Sequence, residues 1–74
     1  MTKLPAVSGA EAVRALERGG FVRVSTRGSH AKSRHPESGR VVIVPLHRTL
    51  AVGTLASILR QCGLAAEDFR MLLK

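Results

Sequence analysis

The chain has 74 residues, 45% of them hydrophobic and 23% charged, with a net charge of +7. A chain of this length is expected to be one domain spanning residues 1–74, which excludes a multidomain enzyme, and the composition excludes disorder. Twelve Lys and Arg against five Asp and Glu make a polyanion the natural partner, with RNA or DNA ahead of an acidic protein surface and an anionic membrane last.

In chain order, Met1-Thr2-Lys3-Leu4-Pro5 carries a charge but no apolar stretch of secretory length, so a cytoplasmic protein is expected. Ser8-Gly9-Ala10-Glu11 has capping-box spacing and predicts a helix start, with Val7 stapling to Ala12. Ala12, Val13 and Leu16 repeat at helical spacing, and Gly19-Gly20 predicts the end. Phe21 to Ser25 and Arg40 to Pro45 are rich in β-branched residues and read as strands, with His30 to His35 between them as a third. After a loop over Leu46 to Val52, Gly53-Thr54 opens a second helix whose buried stripe is Leu55, Ile58 and Leu59, and Gly63 caps it. A short last helix, Ala66 to Leu73, starts behind Ala65, a poor N-cap. The single cysteine, Cys62, excludes an internal disulfide or a Cys-cluster zinc site and is expected to pack in its helix.

The order is α-β-β-β-α plus a small helix, an α+β fold whose three-stranded antiparallel sheet is covered by helices on one face, as in double-stranded-RNA-binding domains. With four-residue loops in both hairpins, Ser25 pairs with His30 and His35 with Arg40. Val22, Val24, Ala31, Ser33, Val42 and Val44 then face the helices. Phe21, Arg23, Ser25, His30, Lys32, Arg34, Val41 and Ile43 line the open face. A one-residue bulge would reverse part of this assignment.

Positions 18 to 48 hold Arg18, Arg23, Arg27, Lys32, Arg34, Arg40 and Arg48 against one acid, Glu37. Arginines on one sheet face bind phosphate bidentately, whereas two phenylalanines are too few for base-stacking readout. The expected RNA-binding set is Arg23, Arg27, Gly28, Ser29, Lys32 and Arg34: Gly28 permits a tight turn, and Ser29 either orients His30 or caps that turn. His30, at the hairpin mouth, is the candidate base. A neutral imidazole there can take the proton of a ribose 2′-hydroxyl while Lys32 or Arg34 stabilises the phosphorane charge. That route needs no metal and no cofactor. His35, before Pro36 and on the other face, reads as structural, and His47 decorates a loop or lines the substrate path. A three-histidine metal site is disfavoured by the absence of nearby carboxylates and by the surrounding positive charge. Gly53-Thr54 offers helix-start amides that attract phosphate but reads first as an ordinary cap.

Arg27-Gly28-Ser29-His30, Arg34-His35-Pro36, Val44-Pro45-Leu46-His47, Gly53-Thr54-Leu55 and Ser57 through Leu64 together resemble the HicA family of toxins, over nearly the whole chain. The resemblance implies a small ribosome-independent endoribonuclease that cuts messenger RNA, has a double-stranded-RNA-binding-like fold and is held inactive by a cognate HicB antitoxin. It places the family's catalytic histidine on His30. Two departures are Ala31-Lys32-Ser33, where relatives carry a bulkier residue, and Ala65 in place of a Ser or Thr cap. The reading of another class is a non-catalytic RNA-binding module using the same basic face; a third is a domain that chiefly binds an acidic protein. An acidic antitoxin over the basic face would compete with RNA and stabilise a small core by mass action.

Overall fold

The first element forms where its cap predicts it. In the computed structural model, which describes residues 4–74, α1 spans Gly9–Arg18; the charged start Met1-Thr2-Lys3 lies outside the described residues. The Glu11 carboxylate accepts the Ser8 N–H at 2.9 Å while the Ser8 hydroxyl accepts the Glu11 N–H at 3.0 Å. These bonds from Ser8, the backbone one foremost, hold the Glu11 carboxyl below its ordinary range. At the other end, the Phe21 N–H reaches the Leu16 carbonyl and the Gly20 N–H the Glu17 carbonyl, the paired bonds of a Schellman ending.

Three antiparallel strands follow, β1 (Val22–Arg27), β2 (His30–Arg34) and β3 (Val41–Pro45), in the spatial order β1-β2-β3. The second hairpin has the expected register: the His35 N–H bonds the Arg40 carbonyl, and Arg34 lies opposite Val41. The first hairpin differs. Arg27, not Ser25, pairs near the turn with His30, so the loop is only Gly28-Ser29, and the register shifts between Arg23 and Ser25. Gly28 has a φ of +54° and occupies the position that a type II′ hairpin turn reserves for glycine, which closes the chain in two residues.

The two-residue slip keeps Ser25 on the side of His30, but the bulge reverses what precedes it. Val22 and Val24, expected in the core, are each 52% exposed, while Phe21, expected on the open face, is 4% exposed. The gain is physical: Phe21 is the bulkiest apolar side chain in this stretch, and turning it inward buries far more surface than either valine could.

Helices α1, α2 (Val52–Cys62) and α3 (Ala66–Leu72) cover one face of the sheet, with α2 on β3 and α1 against α3, β1 and β3. Leu16, Phe21, Val42, Leu55, Ile58 and Phe69 form the centre of the core. Gly63 closes α2 in the left-handed conformation and the Leu64 N–H returns to Leu59, as its sequence predicts. Ala65 makes no side-chain cap bond to α3; instead Arg18 reaches across to the far end of α3, donating to the Leu72 carbonyl at 2.7 Å. Among the described residues, no helix is long and apolar enough to cross a membrane.

The start of α1 abuts the end of β3. The Gly9 N–H bonds the His47 carbonyl at 2.9 Å, and a Cβ at Gly9 would overlap the Pro45 carbonyl oxygen. Only glycine admits this approach.

Candidate nucleic-acid interface on the open sheet face

The short first turn builds the site. Arg27 and His30 face each other across Gly28-Ser29, and Pro45 of β3 pairs with His30. The Leu46 N–H donates to the Ser29 carbonyl at 2.6 Å, which ties the end of β3 to the turn. Cross-strand partners share a face, so three rows cross the open side: Arg27-His30-Pro45, Ser25-Lys32-Ile43 and Val22-Arg34-Val41.

Ser25, Arg27, His30, Lys32 and Ile43 line a shallow concavity of about 570 Å³. Two cations and an exposed imidazole stand around it, with no carboxylate in its wall. Arg27 and Lys32 can hold a phosphate there while the ring of His30 accepts or returns a proton. Ser25 and Ile43 were not among the sequence-predicted site residues. Strand alternation places both on this face, and the expected register of the second hairpin already sets Ile43 opposite Lys32, but only the shortened first turn brings Ser25 there.

The remaining predicted residues separate. Gly28 and Ser29 form the exposed hairpin tip, and nothing lies within 4 Å of a Cβ built on Gly28. Arg34 shares the face but lies four positions along β2 from His30, about 13 Å away at strand rise, and is not in the wall of the concavity. Arg23 pairs with Ser33, which is fully buried, so Arg23 takes the helix side of the sheet at its edge. The structure therefore brings Arg27, His30 and Lys32 together and leaves Arg23 and Arg34 apart from them.

The other histidines have different surroundings. The Nδ1 of His35 accepts the N–H groups of both Glu37 and Ser38 at 3.3 Å, which fits the structural reading of this residue. His47 is exposed, and its carbonyl serves the Gly9 N–H. Arg40 donates to the Gln61 carbonyl near the end of α2. Helix α2 begins at Ala51-Val52, one residue before the expected Gly53, without a side-chain cap. Among the described residues, no three His, Cys, Asp or Glu side chains gather as a metal site. Cys62 is buried, and burial pushes its thiol up to about 11 against a smaller opposing effect of Arg40.

The model of one protein family, the HicA toxin of bacterial toxin–antitoxin systems, matches residues 9–64 of the chain. That span runs from the first turn of α1 through β1, β2 and β3 to the cap of α2. No curated protein matches the chain.

Proposed function

Because the chain belongs to the HicA toxin family of bacterial toxin–antitoxin systems, we propose that it is a metal-independent endoribonuclease that cuts messenger RNA and is neutralised by a HicB-type antitoxin. The observation that carries this reading is the exposed His30 beside Arg27 and Lys32 in a concavity whose wall holds no acid. Arg27 and Lys32 hold the phosphate, and Arg34 takes a further phosphate along the strand. His30 removes the 2′-hydroxyl proton as that oxygen attacks phosphorus; the P–O5′ bond breaks, and the departing oxygen is protonated by the imidazolium or by water. Arg27 and Lys32 offset the charge that builds on the phosphorane oxygens.

The test is RNA cleavage by purified protein with a chelator present, wild type against His30→Ala. Cleavage by the wild type and a loss of at least about 100-fold in the variant are expected, in the range that general acid–base groups supply. Equal cleavage by both proteins would refute the role of His30. RNA binding that is salt-sensitive, with no cleavage by the wild type, would establish a non-catalytic binding module instead.

A further inference from the structure

The open face is not uniformly basic. Its third row sets Arg34 between Val22 and Val41, which are 52% and 41% exposed, and Ile43 on the adjoining row is 51% exposed. A phosphodiester chain gains from Arg34 but gains little from three large aliphatic side chains held in water. A cation framed by exposed aliphatics is instead the composition of a protein-docking patch, where an apolar centre excludes water from a charge pair. A second copy of this chain is a poor occupant, because each copy carries a net charge of +7 and the contact would set Arg34 against like charge. The complement is an acidic protein surface, and membership of a toxin–antitoxin family implies a protein partner, the antitoxin, that can supply one.

We propose that the Val22-Arg34-Val41 row, extended by Ile43, is the anchor for the antitoxin, which sets an apolar side chain between the valines and a carboxylate against Arg34. Ile43 belongs to both the anchor and the wall of the concavity, so a protein seated on the row overhangs His30 and Lys32 and excludes RNA. This deepens the nuclease reading and rests on it only for what docking blocks. Affinity for the antitoxin is then set chiefly at the valine row, about 13 Å along the sheet from the histidine.

The probe is the product of the reading frame adjacent to the toxin gene that copurifies with the wild-type toxin. Its affinity is measured for wild type and for the double variant Val22→Thr, Val41→Thr, which keeps shape and strand preference but places hydroxyls where the contact is dry; circular dichroism checks that the variant is folded. Binding weakened by about tenfold or more, with RNA cleavage by the variant alone unchanged, is the expected result. A loss of less than tenfold overturns the proposal, and so does a parallel fall in RNA cleavage, which would assign the row to RNA. Should the wild type fail to cleave RNA at all, the nuclease reading falls, while the binding comparison still decides the anchor.

Discussion

The ring of His35 stands edge-on to Phe21, with centroids 5.1 Å apart and planes at 81°. One residue thereby joins the inward-turned start of β1 to the loop after β2, whose Glu37 and Ser38 N–H groups it also accepts. His35→Ala is expected to lose the ring contact and two hydrogen bonds, roughly 2 kcal/mol together. Urea unfolding should show that loss, while cleavage by the folded variant stays near wild type. His30→Ala should do the reverse.

The three cations of the open face are expected to separate by assay. Arg27→Gln and Lys32→Gln should each lower the turnover of saturating RNA by about 10-fold or more, because both stand at the concavity. Arg34→Gln should leave that turnover within a fewfold and weaken RNA binding, with the slope of affinity against salt reduced by about one phosphate contact. Single-turnover kinetics and a salt titration read the two effects apart.

How these cations divide shows what a sequence can and cannot reveal about the site. The caps at Ser8-Glu11 and Gly63, the three strands and the second hairpin depend on local chemistry and were all legible. The position of Phe21 was not, because it turns inward for a partner, His35, fourteen positions away, and that choice forces the bulge. The bulge in turn carries Arg23 to the helix side and brings Val22 out beside Arg34. His30 and Lys32 share a face by alternation alone, but Arg27 joins them only because the first turn is two residues long and not the expected four.

Ser33 is fully buried, and its hydroxyl has no hydrogen-bond partner among the described residues. Ser33→Ala removes that hydroxyl at little cost in volume and should stabilise the fold by about 1 kcal/mol, the lower end of the penalty for a buried unpaired polar group. Thermal unfolding followed by circular dichroism measures it; a lower melting temperature would contradict the expectation.

Cys62 provides the pH prediction. In the unfolded chain its thiol ionises near the ordinary value of 9.0, whereas the folded protein holds it up to about 11. Above pH 9 the unfolded state releases this proton first, so native stability should fall as pH rises from 9 towards about 11. Denaturation midpoints across that window should drop more for wild type than for Cys62→Ala. At pH 8 a thiol-reactive disulfide reagent should modify the folded protein slowly and the urea-unfolded protein at once.

Two main-chain tethers, from the Leu46 N–H to Ser29 and from the Gly9 N–H to His47, moor the histidine-bearing hairpin to the rest of the chain. Neither passes through a side chain, so with glycine kept at positions 9 and 28 the other residues around the imidazole can be exchanged without loosening its moorings. The hairpin is in that sense a cassette, open to regrafting towards other oligonucleotides while the ring keeps its station.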